Sequence, residues 1–242
     1  MYLDAPLHLV SAAVSDLVRR PSNLKQALWN YLDSRTLAFG AGRIPTRTIF
    51  EIAPNAKSQE VRLQNFFEGP PYQLAMEPNV ETGSVSAREA TTLVSLVAMT
   101  KGRLIIEFGT AFGDTALLFA LNTPDDSVIL SNDWPERPEA GVKIKACPKV
   151  KQVFAKTQEW NLDEYRGQAD LVFVDAAHDY PNVAADSEKA LTLVAPGGIV
   201  CWHDYRHGYR HDVVRALDQL GDRLPLAHIK YTSIVVYQRQ AD

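Results

Sequence analysis

The sequence predicts an α/β protein: a doubly wound sheet of seven strands whose last strand runs antiparallel, preceded by a helical N-terminal extension. Three observations predict it. From residue 103 onward, short runs rich in Ile, Val, Leu and Phe alternate with helix-period runs, the pattern of a parallel sheet covered on both faces. The first of these strands passes through Gly109 and Gly113 into a helix, a tight turn of the kind glycine makes at least cost. The last two apolar runs, AHIKYT and SIVVYQR, have almost nothing between them and read as an antiparallel hairpin at the sheet edge.

Taken in order, Leu7, Val10, Val14, Leu17 and Val18 recur at helical spacing and predict a helix that Pro21 closes. A second helix, with Leu24, Leu28, Tyr31 and Leu32 on one face, follows the Ser22-Asn23 cap. Between Gly40 and Asn79, the residues Gly42, Pro45, Pro54, Pro70, Pro71 and Pro78 interrupt any period. Residues 1–80 are therefore set apart as a helical extension with a Pro-rich cover segment, and 81–242 as the main domain.

That domain opens on SVSAREATTLVSLVAMTKG, where Ser86 and Glu89 form a capping box, Leu93, Leu96 and Val97 an apolar face, and Gly102 a stop. Next come a strand over 103–108, a helix over 114–122, and strands over 127–132 and about 150–156. A strand over 170–175, a helix over 181–195, a strand over 198–203 and a helix over 210–220 precede the hairpin.

Composition excludes several function classes. With 46% hydrophobic and 22% charged residues, the chain matches ordinary folded proteins. Its net charge of −4 and the lack of a Lys/Arg block argue against nucleic acid as a partner. Two cysteines, Cys147 and Cys201, are too few for a disulfide framework and fit a reducing, cytoplasmic setting. No run approaches the ~20 apolar residues of a membrane span, and the N-terminus lacks a basic leader. The first amphipathic helix can pack on its own domain or on a second subunit, so monomer and homodimer both stay open.

The chemistry concentrates at strand ends. LIIEFGTAFGDTALLFA carries Glu107 into a glycine turn and then a helix N-terminus, which together make a ligand site at the strand's carboxyl end. The spacing is not G-x-G-x-x-G, and an acid at Glu107 would repel a pyrophosphate, so a nicotinamide cofactor is disfavoured. The next strand ends in Asp133, about 20 residues after the glycines, where an acid can take the hydroxyls of a ribose. LVFVDAAHDY ends a strand on Asp175 with His178 following, and IVCWHDY ends one on His203 and Asp204. The bland readings are a helix cap for Asp175 and a turn for Asp204.

These segments in this order resemble the class I S-adenosylmethionine-dependent methyltransferases, of Rossmann-like fold, and most closely the small-molecule O-methyltransferases of catechol and macrocin type. The likeness runs from about residue 80 to 240. It implies that Glu107, Gly109, Thr110, Gly113 and Thr115 surround the methionine part of the cofactor, with Asp175 also at its border. Asp133 would hold the ribose, and Thr157 and Gln158 would lie near adenine. The resemblance further implies a divalent cation, such as Mg²⁺ or Mn²⁺, on Asp175, His203 and Asp204. His203 stands where relatives offer a carboxylate, so either the metal differs, or His203 serves another purpose, or no metal binds. His178 replaces a lysine that takes the acceptor's hydroxyl proton, a task an imidazole can do near neutral pH. The implied activity is methyl transfer to a hydroxyl of a small molecule. A metal-independent N- or O-methyltransferase and a non-catalytic cofactor-binding protein are the alternatives.

Overall fold

A computed structural model of the chain describes residues 43–47, 85–135, 137, 139–205 and 210–241. The two helices expected over 7–18 and 24–32, and the Pro-rich segment apart from residues 43–47, lie outside them. The described residues form one sheet with helices on both faces. In chain order the elements are β1 (Thr46–Arg47), α1 (Ala87–Ala98), β2 (Leu104–Phe108), α2 (Asp114–Leu121), β3 (Val128–Asp133), β4 (Val150–Phe154), β5 (Ala169–Val174), α3 (Tyr180–Leu193), β6 (Val194–Trp202), α4 (His211–Gly221), β7 (Ala227–Ile229) and β8 (Val235–Gln238). A short 3₁₀ turn, Asp163–Tyr165, lies between β4 and β5.

Strand order across the sheet is β1-β7-β8-β6-β5-β2-β3-β4. Strands β2 to β6 are mutually parallel, and β8 is antiparallel to both β6 and β7. The expected seven strands with an antiparallel last strand are all present. The hairpin is there too, with β8 inserted between β6 and β7 rather than lying outermost. The edge beyond β7 is closed by the two residues of β1, which pair in parallel with it. Thr46 and Arg47, within the segment set apart by sequence as the extension, thus pair with this sheet.

Period-2 alternation explains why the sheet is covered twice. Ile106, Phe108, Leu130, Val172, Val174, Val200 and Trp202 face one side, against Val183, Ala190 and Leu193 of α3 and Val213, Leu217 and Leu220 of α4. Ile105, Ile129, Leu171, Phe173, Ile199 and Cys201 face the other, against Leu93 and Leu96 of α1 and Ala116 and Phe119 of α2. The α1 cap forms as its sequence predicts: Ser86 Oγ accepts from Glu89 N, and the Glu89 carboxylate returns to the backbone N–H of Ser86. Gly102 does not cap that helix, which ends at Met99; it turns the chain later, at φ +59°. Strand β6 starts at Val194, earlier than expected. It absorbs Pro196, Gly197 and Gly198, and its register against β5 shifts between Ala169 and Leu171.

From β2 the chain moves outward to β3 and β4, then returns to lay β5 on the other side of β2. The reversal opens a crevice at the carboxyl ends of β2 and β5, where open α/β sheets bind ligands.

Candidate active site

The turn after β2 is held by backbone and acid together. Gly109 has φ +98° and Gly113 φ +92°, a region L side chains rarely adopt. A Cβ on Gly109 would sit 2.1 Å from the Asp175 carbonyl oxygen, so the turn presses directly on the end of β5. Ala111, at φ +46°, donates its N–H to Asp133 Oδ2 at 2.6 Å, while Trp134 N–H donates to Asp133 Oδ1 at 2.7 Å. Asp133 therefore fixes the turn, and Arg137 approaches it at 3.7 Å.

Glu107 is fully buried at the end of β2. Ser131 Oγ donates to Glu107 Oε2 and lies 2.6 Å from Thr110 Oγ1, while Glu107 Oε1 has no hydrogen-bond partner among the described residues. Burial pushes the Glu107 carboxyl up to about 8 against the pull of Ser131, with the charges of Asp175, Asp133 and Asp114 adding to the rise. Thr115 sits half-buried in the first turn of α2. Thr157 is buried within reach of Asn132 Nδ2, beside Asp133. Gln158 turns elsewhere: its Nε2 donates to Asp186 Oδ1 of α3 at 2.7 Å, and it lines a concavity of about 450 Å³ with Trp160, Arg166 and Lys189. That concavity has no residue in common with the glycine turn or the acid and histidine cluster.

The second half of the site stands on β5 and β6. Asp179, not Asp175, caps α3 by accepting from Asn182 N, so Asp175 is not consumed as a helix cap. Asp204 follows β6 at φ +63°, a strained setting for a non-glycine residue. The structure brings Asp175, His178 and Asp204 together, with one potential ligand atom from each within 4.8 Å of the others. His178 Nε2 lies 2.8 Å from Asp204 Oδ2 and 3.8 Å from Asp175 Oδ1. His203, expected among the metal ligands, does not join that trio. Its ring is buried behind the acids, with Nδ1 at 3.3 Å from Asp175 Oδ1 and 3.4 Å from Asp204 Oδ1.

Burial opposes charge on both imidazoles, but the acids prevail. His178 is carried up to about 9 by its bonds with Asp175 and Asp204. His203 stands well above the ordinary histidine range through the charges of Asp175, Glu89 and Asp204. On the far side of His203, burial would raise the Glu89 carboxyl, yet the charge of His203 holds it well below the usual carboxylate range. Sequence reasoning had given Glu89 only its capping role. Nor did it single out Arg210, whose Nε is 3.3 Å from Asp204 Oδ2, or Lys143, whose ammonium bonds Asp114 Oδ1 at 2.5 Å.

Residues 106–205, which contain both halves of this site, match the model of a family described as a methyltransferase domain. That stretch is similar to a methyltransferase domain. No curated relative matches it. Among solved structures, it is similar to a Corynebacterium glutamicum protein at 14% identity and TM-score 0.57, covering 76% of this chain and 98% of that one. It is also similar to a Podospora anserina methyltransferase bound to S-adenosylhomocysteine, at 19% identity and TM-score 0.54 over 78% and 97% of the two chains. An O-methyltransferase from Bacillus cereus, also in complex with S-adenosylhomocysteine, matches at 16% identity and TM-score 0.53 over 88% and 99%. These likenesses establish the class I methyltransferase fold. Among the described residues, no helix is long and apolar enough to cross a membrane.

Proposed function

We propose that this protein uses S-adenosylmethionine to methylate a hydroxyl of a small molecule at the crevice between β2 and β5. One observation carries the reading: the glycine turn touches the backbone of Asp175, so a ligand cradled by the turn would border the Asp175–His178–Asp204 cluster. The turn fits the cofactor. It is shaped by glycines, and beneath it the unpartnered Glu107 Oε1 is a carboxyl oxygen suited to an ammonium group. Bound there, S-adenosylmethionine supplies an electrophilic methyl group on a sulfonium. Asp133 sits where it can exchange one of its backbone bonds for ribose hydroxyls, and Thr157 borders the adenine end. The relatives with bound S-adenosylhomocysteine support this choice of cofactor.

The residues also fit a divalent cation. Two carboxylates and one imidazole, with donor atoms this close, form a mixed oxygen and nitrogen set suited to Mn²⁺, Fe²⁺ or Zn²⁺ as well as Mg²⁺. A cation held there would lower the pKa of an acceptor hydroxyl. The chain's own part is to orient and to remove a proton. With S-adenosylmethionine bound, the acceptor oxygen would bond to the methyl carbon as the carbon–sulfur bond breaks, and the hydroxyl proton would pass to His178 Nε2 where that nitrogen is not itself a ligand of the cation. His178 is competent only after losing the proton that Asp204 and Asp175 hold on it. Competence therefore comes as pH approaches 9, or earlier when further positive charge joins the acids. The close His178–Asp204 pair also favours a second reading, transfer by this base without any cation.

Calorimetric titration of S-adenosylhomocysteine into chelator-treated protein, repeated with Mg²⁺, Mn²⁺ and Zn²⁺, tests these readings. Binding of the nucleoside supports the cofactor, and its absence removes it. Metal heat that disappears in Asp175→Asn and Asp204→Asn supports the cation. If His178→Asn also loses that heat, His178 is a ligand. If the heat survives while transfer is lost, His178 is the base.

A further inference from the structure

We infer that Glu89 is a positioning residue of the reaction centre, acting through His203 to hold the two acids of the cluster in place. This rests on the reading of that cluster as the place of methyl transfer. Glu89 belongs to α1, outside the stretch that matches the family model. A capping box needs only its bonds to Ser86, which Glu89 Oε2 makes with Ser86 N at 2.9 Å and Ser86 Oγ at 2.8 Å. Its other oxygen is fixed as firmly to a distant part of the chain. Ser233 N donates to Glu89 Oε1 at 2.8 Å and Ser233 Oγ at 2.6 Å.

Capping does not require those two bonds, nor does it require burial; Glu89 is 6% exposed. Together the four bonds immobilise a carboxylate whose Oε2 faces His203 Nε2 at 3.5 Å. That nitrogen is buried and has no hydrogen-bond partner among the described residues, and the Glu89 carboxylate is the anion it faces. The opposite nitrogen, Nδ1, points at Asp175 Oδ1 and Asp204 Oδ1 from 3.3 and 3.4 Å, one N–H shared between acids from the ends of two adjacent strands. The ring is thus trapped between a fixed anion behind and two anions in front. A buried imidazole hydrogen-bonded to Asp175 and in ion-pair contact with Asp204 offsets the repulsion between the two acids and orients their remaining oxygens for a cation or an acceptor. His203 then supports the acids from beneath, and the Asp175–His178–Asp204 trio faces the crevice.

Histidine-ring ¹H–¹⁵N correlation spectra of the ¹⁵N-labelled full chain, with the His203 signals assigned by their loss in His203→Gln, test this directly. In Glu89→Gln both His203 ring-nitrogen signals should move. In Ser233→Ala, which removes one anchor of Glu89 and leaves the ring's contact, they should stay. Unmoved signals in Glu89→Gln overturn the inference. If that variant does not fold, Glu89→Asp replaces it, since it keeps the charge near the serines, withdraws it from the ring, and is read in the same way.

The functional arm is Mn²⁺ affinity. It should fall about 10-fold in Glu89→Gln, as for residues that support metal ligands, with S-adenosylhomocysteine affinity unchanged. In the His203→Gln background the Glu89 substitution should add nothing further. Equal Mn²⁺ affinity in wild type and Glu89→Gln, or additive losses, would show a purely structural Glu89 and overturn the inference. A wild type that binds no Mn²⁺ removes the cation reading instead, and the ring signals then decide the positioning role by themselves.

Discussion

His178 Nε2 lies 2.8 Å from Asp204 Oδ2, joining the loop after β5 to the loop after β6. The pair sets how the protein responds to pH. A histidine titrates near 6.5 when unfolded, and His178 in the folded chain does so at about 9. Stability from this pair is complete below pH 6.5 and is lost as pH rises through 9. His203 acts in the same direction. The melting temperature of chelated protein should therefore fall between pH 6.5 and 9, and His178→Asn should fall less steeply. Equal slopes by scanning calorimetry would discard the pair as a source of stability.

Glu107 predicts a proton released on cofactor binding. Its carboxyl is neutral at pH 7 with the site empty, because burial holds it near 8. An ammonium placed against Oε1 favours the ionised form. Titration of S-adenosylhomocysteine at pH 7 in buffers of different ionisation heat should show release approaching one proton, and Glu107→Gln should show none. Folding points the same way. The raised folded-state value costs little below pH 4.5, and the cost grows as pH climbs from there to about 8. Glu107→Gln should thus gain stability over wild type as pH rises across that range, in the unliganded protein.

Gly109→Ala should cost both fold and ligand. Alanine at φ +98° is strained, and its Cβ would collide with the Asp175 carbonyl. The strain alone costs about 1–3 kcal/mol, and relief of the collision must shift either the turn or the end of β5. Urea denaturation should show the loss of stability, and S-adenosylhomocysteine binding should weaken at least 10-fold. A variant that binds like wild type would mean that the turn does not cradle the cofactor.

Tyr205→Phe separates the edge strap from the chemistry. The Tyr205 hydroxyl donates to Asp218 Oδ1 at 2.7 Å and accepts from Ile44 N at 3.1 Å. Removing it leaves Ile44 N without this buried acceptor and should cost about 1–3 kcal/mol, while S-adenosylhomocysteine affinity stays within about 2-fold. A large loss of cofactor affinity at unchanged stability would contradict that separation.

The parts of this molecule legible in its sequence are those written in local pattern. Alternating apolar runs place β2, β3, β5 and β6 to within a few residues, and the acids that end them, Asp133, Asp175 and Asp204, stand at the crevice. Contacts made across the chain were not legible. Glu89 reads as a capping residue because its local partner is Ser86, whereas Ser233 lies 144 residues away. Two residues of β1 beside Pro45 carry no period to detect. The opening of β6 hides behind Pro196, Gly197 and Gly198, which local rules assign to a turn. Resemblance could place His203 beside the acids but not say which way its ring faces, and adjacency in sequence gave no hint that His178 reaches Asp204 across the strand ends.

The edge strap at residues 43–47 bears on where the folding unit ends. Ile44 is buried in the core, Pro45 accepts from His228 N at 2.9 Å, and Arg43 bonds both Asp218 and Asp222 of the α4 end. The family-model match ends at Tyr205, before α4, β7 and β8. A chain trimmed to the recognisable stretch would present β6 as a bare edge, with the apolar faces of Ile199, Cys201 and Trp202 no longer flanked by a neighbouring strand, an invitation to strand-by-strand association. Recognisability and autonomy are thus different lengths in this protein, and the shorter one is not expected to fold alone.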